Sequence, residues 1–369
     1  MEFMMKLINM FFLLISFTSA LFADVNQDFL ESLTHDDFPR AESLLKDGAD
    51  INMEVVYYGS PLLWAVLQND MGKVRFLVSH GADVNKEWVD SFPLMFAVRA
   101  SNLEMVRFLI ENGANLKIAS GVYKHVPLVE ATLFGKIDIF NYLIEQNVDV
   151  NIRNDGGSTA LHWATEHYIE MVHRLVSRGA QVNLQNNDGY TALSKAVMRN
   201  NGEIVKFLLH CGADTTLKTF DKTALEWCLG SKDPNYEIAK YLENFELFKN
   251  DPWFFMENQA LPFNELSYTS LEQLLLWSIA LNYYDVFEKL LTQGISPNTC
   301  DEYRFTALMY ASMLNRKDMV KALVIHPKIN INARNKYGKN AMQLAADRGY
   351  WNIATWLLMA QKYQVAIAV

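Results

Sequence analysis

Several patterns that carry chemistry are missing from this 369-residue chain, and each absence removes a class of function. There is no G-x-S-x-G elbow, no glycine-rich phosphate loop ending in Lys-Ser/Thr, and no H-E-x-x-H. Gly338-Lys339-Asn340 reads as a hairpin rather than a phosphate loop. Basic runs are absent and the net charge is −9, which argues against nucleic acid as a partner. The same charge repels anionic lipid surfaces. Cysteine is scarce, with three in the chain: Cys211, Cys228 and Cys300. An odd number in an exported protein leaves at least one thiol free or paired between molecules.

Long apolar runs are also few. Leu7 to Phe17 is the one at the start, followed by Thr18-Ser19-Ala20 and Leu21-Phe22-Ala23. It is short for a membrane span of about 20 residues, and no basic flank follows it. A short apolar run ending in small residues reads as a secretory signal peptide over 1–23, cut between Ala23 and Asp24. Cleavage removes Glu2 and Lys6, so the mature charge is also −9.

The rest of the chain repeats itself. Leu62, Leu94, Leu128, Leu161, Leu193 and Leu225 follow one another at spacings of 32, 34, 33, 32 and 32. Periods of this size mean stacked structural repeats. The copy from Thr191 shows why each is a helix pair. Thr191 suits a helix N-cap, and Leu193, Ala196 and Val197 then recur at helical spacing. Asn200-Asn201-Gly202 breaks the helix. Ile204, Val205, Leu208 and Leu209 form the stripe of a second helix, and Gly212 suits a left-handed cap. Asn147 replaces that glycine in one copy. Neither short helix can bury its stripe alone, so several copies must stack. Cys228 occupies the small position where most copies have Ala, and reads as core. Cys211 and Cys300 lie in copies too far apart to bridge in a regular stack.

The pattern, with Thr159-Ala160-Leu161-His162 and Ala164 as its best opening, resembles the ankyrin repeat family. The resemblance covers nearly all of residues 24–363. It implies an all-α solenoid of nine to ten helix–turn–helix units joined by β-hairpin-like loops. Phe29, Leu33, Ala41 and Leu44 mark an imperfect first unit. The rhythm breaks once: Leu275 lies 50 residues after Leu225, with about 17 extra residues around Phe245 to Tyr268. The chain therefore divides into repeats at 24–246, an aromatic-rich insert at 247–268, repeats at 269–363 and an apolar tail at 364–369. The composition of the insert, with Trp253, Phe254 and Phe255, predicts packing against both repeat stacks. Pro327 stands where one unit should have its glycine.

His162, His167 and His173 are spaced by five and six, which does not place two imidazoles on one helix face. In the family a His at the position of His162 ties hairpins together, so no metal and no cofactor is expected. The carboxylates read as scattered on solvated helix faces. In the resembling family, partners contact hairpin tips and the inner-helix ends. Carried over, the inner-helix positions are Leu67 and Gln68, Arg99 and Ala100, Leu133 and Phe134, Met198 and Arg199, Met313 and Leu314, and Asp347 and Arg348. The tip positions are Tyr57, Tyr58, Trp88, Tyr123, Tyr303 and Tyr337. Tyr57, Tyr58, Trp88, Tyr123, Leu133 and Phe134 form an apolar set across three units, the residue types that binding surfaces collect. These residues predict a monomeric, non-enzymatic protein-binding module, periplasmic or secreted, without stable membrane insertion after signal cleavage. The alternative reading is a secreted effector or inhibitor acting on a host or competitor protein. The third is an enzyme with its site in the insert.

Overall fold

The computed structural model describes residues 25–121, 124–166, 168–231, 234–250 and 271–367. The expected signal segment, and the insert from residue 251 to 268, lie outside these. Twenty helices follow one another in ten consecutive pairs among the described residues. The first three pairs are α1 (Val25–Thr34) and α2 (Phe38–Lys46), α3 (Pro61–Leu67) and α4 (Met71–Ser79), and α5 (Pro93–Arg99) and α6 (Leu103–Glu111). Then come α7 (Pro127–Leu133) and α8 (Ile137–Glu145), α9 (Ala160–Ala164) and α10 (Ile169–Ser177), α11 (Ala192–Met198) and α12 (Gly202–His210), and α13 (Ala224–Leu229) and α14 (Tyr236–Asn250). The last are α15 (Leu271–Leu281) and α16 (Tyr284–Thr292), α17 (Ala307–Met313) and α18 (Lys317–Val324), and α19 (Ala341–Asp347) and α20 (Trp351–Ile367). α14 runs into the stretch assigned to the insert, and α20 takes in most of the expected tail.

Local chemistry sets these bounds. The Thr191 hydroxyl accepts from the Ser194 amide at 3.0 Å, and Asn201 caps α12 by accepting from Ile204. Pro61, Pro93 and Pro127 each open a helix, where a missing amide proton costs nothing. Gly212 closes the α12 turn at φ +81°, and Asn147 does the same after α8 at φ +55°. The expected stripe is in place, with Ile204, Val205, Leu208 and Leu209 all buried. Cys228 is buried in the small inner position, and all three cysteines are free thiols.

At five junctions an asparagine ties one hairpin to the next. Asn52 accepts from the Asp83 amide at 2.7 Å and Asn85 from Asn115 at 2.8 Å. Asn151, Asn183 and Asn298 repeat the bond to Gln181, Asp214 and Asn330. The signal for it is in the sequence, in the Asn that follows most Gly-Ala-Asp-like caps by two positions, with Lys117 and Thr216 as exceptions.

The chain divides within α7 into two compact units, Met1–Ala131 and Thr132–Val369. In the first, α1 packs on α2, and the pairs α3/α4 and α5/α6 stack with α3 beside α5. In the second, first helices stack in two rows, α9–α11–α13 and α15–α17–α19. The regular-stack expectation is corrected here: instead of simply extending the first row, the second row turns back and α15 seats on α12. Trp277 of α15 packs edge-on against Tyr241 and Phe245 of α14, each at 5.3 Å. The physical reason lies in α12, whose apolar surface extends beyond the Leu stripe even though Glu203 and Lys206 interrupt it. Phe207 and His210 face away from the Leu stripe and are buried as well.

Candidate interaction surface

Several exposed apolar groups stand on hairpins. In the first unit the Val55–Gly59 bridge closes a tip on which Val56 and Tyr57 are 67% and 69% exposed. The Trp88–Ser91 bridge closes a two-residue turn with Val89 76% exposed. In the second unit the Thr219–Lys222 bridge presents Phe220 at 62%. Tyr57, Val89 and Phe220 all have positive φ, at +69°, +47° and +46°. Asn or Gly is the usual occupant of such turn positions, and a β-branched residue there is strained. Sequence spacing pointed to Tyr57 but missed Val56, Val89 and Phe220. Their signal was a large apolar residue where turn chemistry calls for a small or polar one.

Other expected contact residues are spent on the fold. Tyr58, expected at a tip, is buried, so its ring is not surface. Trp88 is half-buried and lies against Gly59; a Cβ built on Gly59 would stand 2.3 Å from its Cγ. Neighbouring tips therefore pack on each other through Trp88. Tyr123 lies outside the described residues. Arg99 is half-exposed and holds Glu130, which also takes a hydrogen bond at 3.0 Å from His125 Nδ1. Glu130 corrects the reading of every carboxylate as solvated, because it is almost wholly buried. Burial pushes its carboxyl up, but hydrogen bonds from His125 and Arg99 and the Arg99 charge outweigh this and hold it below the usual range.

In the second unit Leu133 is half-buried, while Phe134 and Met198 stand 51% and 46% exposed. Arg199 pairs with Glu166 at 3.0 Å, and Lys195 lies 4.4 Å over the Trp163 ring. Here the inner-helix ends offer apolar surface beside paired charges. Met313 is fully buried, and Asp347 is paired with Lys339. Tyr303, Tyr337 and Arg348 do not stand free either. Tyr303 donates to Glu203 at 2.7 Å, Tyr337 is hydrogen-bonded to His173, and Arg348 donates to the Val176 carbonyl.

His162 occupies the tie position. Its Nδ1 accepts from the Thr159 amide at 3.1 Å, and its Nε2 donates to the Tyr190 carbonyl at 3.0 Å. Burial lowers its pKa to about 4, so it is neutral at physiological pH. Among the described residues no group of three His, Cys, Asp or Glu could hold a metal ion, and no helix is long and apolar enough to cross a membrane.

The family model for ankyrin repeats (3 copies) matches residues 32–120, 128–219, 168–251 and 275–367, together more than half the chain. The chain belongs to the ankyrin repeat family. Ankyrin repeats are generally protein–protein interaction modules, which fits a surface of exposed apolar tips. Among solved structures, an ankyrin repeat domain from Acinetobacter baumannii AYE is 30% identical, with 50% of this chain and 96% of that chain covered and a TM-score of 0.46. The ankyrin repeat domain of Bcl-3, a member of the IkappaB protein family, is 22% identical over 58% of this chain and 97% of that one, with a TM-score of 0.52. No curated protein matches the sequence.

Proposed function

We propose that this ankyrin chain is an exported, non-enzymatic binding module that holds a protein partner on its hairpin tips and exposed inner-helix ends. One observation carries the reading. Tyr57, Val89 and Phe220 are exposed, apolar and held at positive φ, where glycine or asparagine would be less strained. Phe220 meets the Tyr190 ring edge-on at 5.6 Å, yet most of its surface stays in solvent, and an exposed apolar side chain held in a strained turn points to function. Large apolar side chains, aromatics above all, make the anchors of protein interfaces. Export is supported by the apolar run from Leu7 to Phe17 and the small residues after it.

The test separates binding from folding. Capture from the exported fraction, read by mass spectrometry, supplies the partner. Val89→Gly and Tyr57→Gly then relieve turn strain while removing side chain. The expected result is unchanged or raised thermal stability, by up to about 1 kcal/mol, with capture weakened about tenfold or more. Undiminished capture by both variants would overturn the tips as the site. A large drop in melting temperature would show that these side chains pack rather than bind.

A further inference from the structure

The fold-back of α15–α20 is built over two buried histidines. His173 of α10 is fully buried, and its Nδ1 is hydrogen-bonded to the Tyr337 hydroxyl at 2.5 Å. Its ring lies 4.0 Å from Phe207 and 4.2 Å from Tyr303, between the outer helix face and the returning hairpins. His210 of α12 is buried too, with its Nε2 hydrogen-bonded to the Tyr241 hydroxyl at 3.1 Å and to the Gln273 amide. The other nitrogen of each ring, Nε2 of His173 and Nδ1 of His210, is buried without a hydrogen-bond partner. A neutral imidazole loses little by this. A protonated one would place a charged N–H against apolar side chains with nothing to accept it.

We propose that the docking of α15–α20 across α10, α12 and α14 is a pH-operated latch, closed while His173 and His210 are neutral and opened by acidification when both take up protons.

The charges around the two rings favour release. Lys336, on the hairpin before α19, acts on His173, and Lys206 of α12 acts on His210. Both are cations, so each opposes protonation in the closed state. Among the described residues no carboxylate acts on either ring. Glu203 of α12 is occupied by the Tyr303 hydroxyl. On α10 itself, Glu170 pairs with Arg174 at 3.4 Å. The phenols that face the rings, Tyr241, Tyr303, Tyr310 and Tyr337, are all shifted upward by burial and remain neutral. Arg348, the C-cap of α19, donates to the Val176 carbonyl and stays a fixed contact over the same range. Asp301 works against the latch: burial raises its carboxyl, so it takes up a proton more readily when closed.

Burial lowers both histidines from 6.5 to about 3. A depressed histidine contributes stability that is complete above its exposed value near 6.5. That stability is lost as the pH falls from there toward 3. Each ring shifts the open-to-closed ratio by up to about tenfold per pH unit, and the two together by up to about a hundredfold.

Hydrogen exchange of the full chain between pH 7.5 and pH 5, corrected for the intrinsic rate, reads this directly. The returning hairpins, residues 299–306 and 333–340, are expected to lose protection by up to about a hundredfold per pH unit below 6.5, with α3–α6 unaffected. Flat protection in those hairpins overturns the latch, and so does loss in step with α3–α6, which would be global unfolding. The double variant His173→Phe, Tyr337→Phe keeps an aromatic ring and removes both partners of the bond, so no polar group is orphaned. Its dependence is expected to fall to about tenfold per pH unit. A dependence equal to the parent's would overturn the role of His173. If the variant does not fold, the parent series alone decides between local release and global loss.

Discussion

Leu208 and Val89 show two fates of an apolar side chain in this repeat. Leu208 is fully buried in the stripe that α12 turns toward its neighbours, and helical spacing alone identifies it. Leu208→Ala is expected to cost about 2–5 kcal/mol in a urea melt. A cost under about 0.5 kcal/mol would mean that the site collapses around the gap. Val89 sits on a two-residue turn, and periodicity says nothing about such positions. Glu130 is a third case. Its charge is stabilised by Arg99 and His125, so its contribution is present above the ordinary carboxylate range and lost as pH falls through its lowered folded value. Glu130→Gln is therefore expected to cost about 1–3 kcal/mol near pH 7. The gap from the parent should shrink as the parent is acidified toward pH 4, as urea midpoints at the two pH values would show. An equal gap at both would mean that the carboxylate charge does not matter. The sequence places Glu130 on a short inner helix, but the partners that bury it come from Arg99, 31 positions earlier, and from a hairpin residue.

At the scale of the element, tip packs on tip. Gly59 has φ +77°, and a Cβ there would overlap the Trp88 ring. Gly59→Ala is expected to destabilise the first unit by more than about 1 kcal/mol. Part of that cost should vanish in a Trp88→Ala background, because the two changes share a contact. Equal costs in both backgrounds would assign the whole effect to backbone strain. The helix ends were legible because caps are local: Thr191, Asn201, Gly212 and Asn147 act within a few residues of themselves. The role of Trp88 was not. Period and exposure patterns placed it on a tip, while the bare glycine that receives it lies 29 positions earlier.

For the whole molecule, the expected first residue of the mature chain is Asp24, checked by N-terminal sequencing of purified native protein; an intact Met1 on cytoplasmic protein would overturn export. The order of the ten helix pairs follows from the sequence by itself. Each pair is specified by a stripe, a cap and a turn within about 33 residues, and one period recurs along the chain. The return of α15–α20 onto α10, α12 and α14 was decided only in three dimensions. Its contacts join Glu203 to Tyr303, His173 to Tyr337, and Val176 to Arg348, across 100, 164 and 172 positions. An apolar Phe207 opposite the Leu stripe of α12 states that a second face is buried. It does not state what covers the second face, because hydrophobic burial is non-directional and any apolar surface of fitting shape satisfies it.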